Sequence, residues 1–323
     1  MGYMHILGAD IGATNARIGW FRATESGALT LTASERLAID RAASFADLMG
    51  QLEEIPAPFR LTEAEGVCLA VPGPMRRRGR YTDPPNIPWD MDLDRDAPAL
   101  GHAVMINDFV AQAYACATEM GERAAVVLRG SPPPAEDLPV RAVVGAGTGF
   151  GKAALLPDGH GGFVPMPSEG GHVAFAFLGS EEHEFERFII DALGVPYVTL
   201  NEVMTGAGLA LLHRFLTGAP VTPRDVVGLL SDESETVAWF ARFYGRVARD
   251  FALETLALGG LYVAGGVAAR TPALVTHPGF EREFRSSPAH GDLLARIPVR
   301  LIADDASGLW GAARRALMEA LPA

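Results

Sequence analysis

The sequence predicts an α/β protein of two domains, and three observations carry that expectation. Short apolar runs alternate with longer stretches of helical periodicity, the pattern of strands joined by helices. The 323 residues amount to two domains at the usual prior of about 150 residues each. An apolar strand broken by a Gly/Thr turn occurs twice, at Gly8-Ala-Asp-Ile-Gly-Ala-Thr14 and, about one domain length later, at Gly145-Ala-Gly-Thr-Gly149. The repetition suggests that the same hairpin heads each domain.

His5 to Ala9 is a short apolar strand that breaks at Asp10–Asn15. Alternation resumes through Ala16, Ile18 and Trp20, so a hairpin is expected, with a third strand around Leu29–Leu37. Ser44 with Asp47 resembles a capping box and opens a helix to about Glu54. Gly66–Val71 reads as a buried strand ending on Pro72-Gly73-Pro74. The run Arg76–Arg80 is expected to be a solvated turn, and Thr82–Trp89 a Pro-rich loop. Val104–Ile106 form a buried strand that stops at Asn107-Asp108, after which Phe109, Ala113, Ala117 and Met120 recur at helical spacing. This strand-to-helix turn marks the expected boundary. Residues 1–108 with 304–323 make a smaller N-terminal domain completed by the C-terminal helix, and 109–303 make a larger one.

In the second half, Ser131–Pro134 reads as a surface connector. Arg141–Val144 reads as a strand whose returning partner contains Ala153 and Leu155. Helices are expected at Glu181–Leu193, from Thr222-Pro-Arg-Asp225, where Pro takes the first helical position, at Glu235–Leu258 and at Leu309–Leu321. Strands are expected at Leu261–Ala264 and Val299–Ala303.

A net charge of −12 and a pI near 5.1 argue against nucleic acid or an anionic membrane as partner. Cys68 and Cys116 lie in apolar segments without a partner at metal spacing, which suits reduced thiols in a cytoplasmic protein. The N-terminus lacks the pattern of a secretion signal, and no apolar run reaches the roughly 20 residues of a membrane span.

Asp108 has two readings from local pattern alone. It can cap the helix it begins, or it can stand at the mouth of a cleft and accept a proton from a substrate hydroxyl. The first hairpin turn gathers Asp10, Gly12, Thr14, Asn15 and Arg17. Glycine lets backbone N–H groups approach an anion, and Asp10 is placed to hold Mg²⁺ directly or through water. The second turn, with Gly147, Thr148 and Gly149, carries more glycine than a hairpin requires and matches neither a Walker A loop nor a dinucleotide fingerprint. Two such turns could clamp the phosphates of one nucleotide between two domains. Glu169 and His172 flank two glycines, a pair suited to gripping polyol hydroxyls or to a simple loop hydrogen bond. His183–Arg187 fails the His-Glu-x-x-His pattern, and the cysteines of a structural zinc site are missing.

The order of these motifs resembles the actin-like, sugar-kinase and Hsp70 ATPase superfamily, and within it the bacterial glucokinase family. The segments are Asp10–Arg17, Asn86–Trp89, Ile106–Phe109, Gly145–Gly151, Glu169–His172, Asn201-Glu202 before Thr205–Gly208, and Gly308–Gly311. The resemblance implies a two-domain, ribonuclease H-like α/β fold with an interdomain active-site cleft. It implies ATP- and Mg²⁺-dependent phosphorylation of the glucose 6-hydroxyl, in a homodimer that binds neither nucleic acid nor membrane. Asp108 then matches the general base. Asn86, Asn107, Glu169, His172 and Glu202 match sugar ligands. Asp10 matches the carboxylate associated with Mg²⁺, holding the metal through water. Gly12, Thr14, Asn15, Arg17, Gly147, Thr148 and Gly149 fall where the phosphates are held, and Gly265 and Gly266 where the adenosine lies.

Ala13 stands where the family usually has Gly. Lys152, the only lysine among 27 basic residues, stands where it typically has an apolar side chain and is expected to point to solvent. Alternatives are a hexokinase of other or broader hexose specificity, a sugar-responsive regulator without useful catalysis, and an actin-like or chaperone ATPase. The hairpin beginning at His5 leaves no room for an appended helix-turn-helix, which disfavours the regulator.

Overall fold

The computed structural model describes residues 2–84, 86–134 and 137–321. The chain divides into two compact units, Met1–Arg123 with Ala306–Ala323, and Ala124–Asp305. The first break therefore falls after Arg123 rather than after residue 108, and the second after Asp305 rather than residue 303.

In the first unit, β1 (Met4–Ile11), β2 (Asn15–Ala23), β3 (Leu29–Ala38), β4 (Gly66–Val71) and β7 (Val104–Asn107) form a sheet in the order β3-β2-β1-β4-β7. The first three strands are antiparallel, and β4 and β7 run parallel to β1. Alternation decides the two faces of β1. Leu7, Ala9 and Ile11 enter a core with Phe45, Leu48 and Leu52 of α1 (Phe45–Glu53). Gly8 faces the other way, where the closing helix α14 (Ser307–Ala320) lies so near that a Cβ would stand 2.6 Å from the Leu309 carbonyl oxygen. A small ribbon, β5 (Tyr81–Thr82) with β6 (Met91–Asp92), leads into the short α2 (Leu93–Asp96).

The helix after Asp108 belongs to this unit because α3 (Asp108–Ala115) packs on α14, and Gly311 leaves no space for a side chain against the Ala111 carbonyl. The apolar pattern from Phe109 to Met120 is not one helix. Thr118 interrupts it, its hydroxyl donating to the Ala115 carbonyl and accepting from the Met120 N–H, and α4 (Glu119–Arg123) begins anew. The arginine run is not simply solvated either. Arg80 pairs with Asp94 at 2.6 Å and donates to the Gly101 and Ala103 carbonyls, while Arg77 pairs with Asp92.

The second unit contains β8 (Ala125–Leu128), β9 (Arg141–Ala146), β10 (Phe150–Pro157), β11 (Phe163–Met166), α5 (Gly179–Leu193), α6 (Leu200–Val203), α7 (Gly206–Thr217), α8 (Val226–Leu229) and α9 (Glu235–Thr255). They are followed by β12 (Gly260–Ala264), α10 (Gly266–Arg270), α11 (Ala273–Thr276), α12 (Pro278–Phe284), α13 (Gly291–Arg296) and β13 (Val299–Leu301). Its sheet runs β11-β10-β9-β12-β13-β8. Strands β11, β10 and β9 are antiparallel, and β12 and β13 are parallel to β9. The first five positions thus repeat the order and sense of the first sheet, with the repeated hairpin in the equivalent place, although β8 precedes it in the second unit. The amphipathic α9 buries Phe240, Phe243, Tyr244 and Phe251 in this unit's core. Thr222–Asp225 is a hydrogen-bonded turn, not a first helical turn, and α8 starts only at Val226. Among the described residues no helix is long and apolar enough to cross a membrane.

Candidate functional site

In the first unit the candidate residues stand at the carboxyl ends of the parallel strands, the end where open α/β sheets place ligands. Asp10 is in register with Ala70 of β4, and Ala70 with Ile106 of β7. At a strand spacing of about 4.8 Å, Asp10 lies about 10 Å across the sheet from the Asn107-Asp108 turn. The Asp10 carboxylate fills the space a side chain at Gly308 would need, beside the N-terminal end of α14. The partial positive charge there suits an anion. Arg17 stands directly opposite Asp10 on β2. The turn between them closes by a 2.9 Å bond from the Gly12 N–H to the Asn15 carbonyl, and the Thr14 carbonyl is held by the Ile39 N–H. Ala13 and Thr14 are exposed at its tip.

The capping question at Asp108 is decided by its neighbour. Asn107 is the N-cap of α3, its Oδ1 accepting from the Phe109 and Val110 N–H groups at 2.9 and 3.3 Å. One N–H of its amide reaches the Gly73 carbonyl at 3.3 Å. Asp108 is the first helical residue, half-buried, and its Oδ1 also accepts from the Phe109 N–H at 3.0 Å. The helix start is therefore supplied without requiring Asp108 to be charged. Asn86 is exposed in the left-handed region at φ 65°, on a loop pinned by buried Ile87 and by Trp89, whose indole N–H donates to the Ala42 carbonyl.

In the second unit the glycine turn and the Glu169–His172 segment pack directly on each other. Gly147 N–H bonds the Gly149 carbonyl at 2.9 Å, leaving Thr148 and Gly149 exposed at the tip. Gly170–His172 form a single 3-10 turn that sits on the first residues of β10. A Cβ on Gly171 would meet the Phe150 carbonyl, and one on Gly170 would meet the Lys152 stem. Glycine at both positions is what allows Glu169 and His172, both exposed, to be presented from so close to the turn. Gly265 completes the group. It adopts φ 90°, and a Cβ would lie 2.5 Å from the Ala146 carbonyl oxygen, so the Gly265-Gly266 step hugs the end of β9.

Lys152 does not point to solvent. It is 6% exposed, its ammonium lies 3.2 Å from Glu254 and 4.8 Å from the centre of the Phe251 ring, and its stem forms the floor under Gly170. The lysine joins the Glu169–His172 turn to α9. Glu202 also has a local role, because its Oε2 accepts from both the N–H and the hydroxyl of Thr199 in a reciprocal cap of α6. The sequence motif alone gives its neighbour Asn201 no role. Its Oδ1 accepts from the Phe150 N–H at 2.8 Å, and its Nδ2 lies 3.4 Å from Nδ1 of His172.

A family model described as Glucokinase matches residues 7–319 of this chain. The glucokinase of Caulobacter vibrioides (strain NA1000) is 32% identical over 321 residues, covering 95% of this chain and 93% of that one. The glucokinase of Nostoc punctiforme is 27% identical over 342 residues, covering 95% and 97%. The crystal structure of a glucokinase from an Antarctic psychrotroph matches with a TM-score of 0.82 at 26% identity, over 98% of this chain and 100% of that one.

Proposed function

The chain belongs to the glucokinase family, and from that membership we propose that it transfers the γ-phosphoryl group of ATP to the 6-hydroxyl of glucose, with Asp108 as the general base. One observation supports Asp108 most: a half-buried carboxylate stands at the carboxyl end of β7, next to an Asn107 whose side chain caps α3. Asp108 takes the proton of the 6-hydroxyl as that oxygen bonds to phosphorus, and the bond from phosphorus to the bridging oxygen of ADP breaks.

Asn86, Asn107, Glu169, His172 and Glu202 hold the sugar in this proposal. Asn107 keeps one amide N–H beyond the one given to Gly73, and a sugar contact by Glu202 falls to Oε1 because Oε2 serves Thr199. The turns at Gly12–Arg17 and Gly147–Gly149 hold phosphates, with Thr14, Asn15 and Thr148 adding polar side chains. Gly265 and Gly266 border the adenosine.

Among the described residues no cluster of three His, Cys, Asp or Glu could hold a metal. A single carboxylate, Asp10, fits Mg²⁺, which keeps several waters and is bound largely by substrate phosphates. When bound, the ion neutralises charge on the transferring phosphates. We extend the proposal to a cytoplasmic homodimer.

The test is ADP release measured over a panel of hexoses. Glucose-dependent release with formation of glucose 6-phosphate is expected. Release with another hexose but not glucose would replace the substrate and keep the class, and sugar-independent hydrolysis would overturn the reading.

A further inference from the structure

We infer that Asn201 is a positioning residue for His172: its amide fixes the neutral imidazole in the form that carries its proton on Nε2, and ties the Glu169–His172 turn to the end of the glycine turn. The part concerning sugar rests on the proposed function, whereas the part concerning the ring does not.

The orientation of the amide follows from its partners. The Phe150 N–H can only donate, so the Asn201 atom 2.8 Å from it is the oxygen. A flipped amide would set two donors against each other and leave the Phe150 N–H without that acceptor. The NH₂ group therefore faces Nδ1 of His172, 3.4 Å away. A donor there requires Nδ1 to accept, which puts the proton of the neutral ring on Nε2.

The amide is also held in place. The Asn201 N–H donates to the Thr199 hydroxyl at 3.2 Å, and its carbonyl accepts from the Thr205 hydroxyl at 2.9 Å. Gly171 lies so close that a Cβ would stand 3.0 Å from Oδ1. Rotation of the side chain would cost the Phe150 bond. His172 is thereby presented as an Nε2–H donor to a sugar hydroxyl oxygen. Phe150 follows Gly149 directly, so two hydrogen bonds connect the residue after the phosphate turn to a sugar ligand.

Asn201→Asp separates these roles. The shape and the acceptor toward Phe150 remain, but the atom facing Nδ1 becomes an acceptor, which draws a proton onto Nδ1. The primary readout is the ¹⁵N spectrum of selectively labelled histidine, with the His172 signals assigned by their loss in His172→Gln. In the wild-type protein, with the ring neutral, Nδ1 is expected in the unprotonated range and Nε2 in the protonated range. In Asn201→Asp, Nδ1 is expected to become protonated. The KM for glucose rises about tenfold and the KM for ATP changes less than twofold, because the Phe150 bond persists.

A protonated Nδ1 in the neutral wild-type ring, which needs no variant to observe, would overturn the inference. So would an unchanged His172 spectrum in Asn201→Asp. A shifted proton with no change in the KM for glucose would establish the Asn201–His172 pairing and overturn the sugar role of His172.

Discussion

Replacing Asp108 by Asn tests the proposed base apart from the helix cap, because Asn107 is the N-cap of α3. The Phe109 N–H that Asp108 Oδ1 accepts at 3.0 Å is also bonded by Asn107, and Asn at 108 keeps an oxygen in that place. The first turn of α3 loses a negative charge, worth about 0.3–1 kcal/mol. What the reaction loses is its base, worth about 10²–10⁴ in rate, or about 3–5 kcal/mol of barrier. The reciprocal variant, Asn107→Ala, removes the cap at about 1 kcal/mol and the bond to Gly73 at up to about 1 kcal/mol more. Urea unfolding should therefore rank Asn107→Ala below Asp108→Asn in stability. The ADP-coupled assay should show kcat of Asp108→Asn lowered by at least a hundredfold at saturating glucose and ATP. A destabilised Asp108→Asn with wild-type kcat per folded molecule would exclude Asp108 as the base and return it to capping.

Lys152→Ala deletes three buried methylenes, which costs about 2–3 kcal/mol at about 0.8 each, while Glu254→Gln costs less than about 1 kcal/mol because Glu254 is largely exposed. Urea unfolding of the two variants checks the order, and the KM for glucose should rise more in Lys152→Ala than in Lys152→Met, which keeps most of the stem under Gly170. Gly265→Ala places a methyl against the Ala146 carbonyl at a positive φ, so the KM for ATP should rise while the KM for glucose moves less. In the second unit's interior, Glu182 accepts from both Arg242 and Arg246, and Arg246 is 1% exposed. Glu182→Gln leaves those cations with Glu283 as their remaining carboxylate, at a cost of about 3–5 kcal/mol measurable by chemical denaturation.

What was legible in the sequence is what local chemistry decides. The two glycine turns, the strands they interrupt and the long α9 all announce themselves through spacing and turn residues. The repeat of Gly8–Thr14 at Gly145–Gly149 corresponds to an antiparallel hairpin in each sheet, although in the second unit β8 precedes it. What was not legible depends on residues far apart in the chain. The unit boundary after Arg123 follows from α3 packing on α14, a contact across most of the chain's length. Lys152 is buried because Gly170 leaves space for its stem and Glu254 and Phe251 receive its ammonium. Short strands such as β8 and β11, four residues each and the latter containing Pro165, carry too little pattern to be read. The Asn201-Glu202 pair is legible as a motif, but only the proximity of Phe150 and His172 gives its first member a task.

The measurement that bears most directly on Asp108 is a crystal structure of the protein with glucose and a non-hydrolysable ATP analogue bound. An Asp108 carboxylate oxygen is expected about 2.6–3.2 Å from the sugar's 6-hydroxyl, with that hydroxyl in line with the γ-phosphorus. A productive complex in which another carboxylate, such as Glu169, occupies that position and Asp108 faces only the α3 backbone would contradict it.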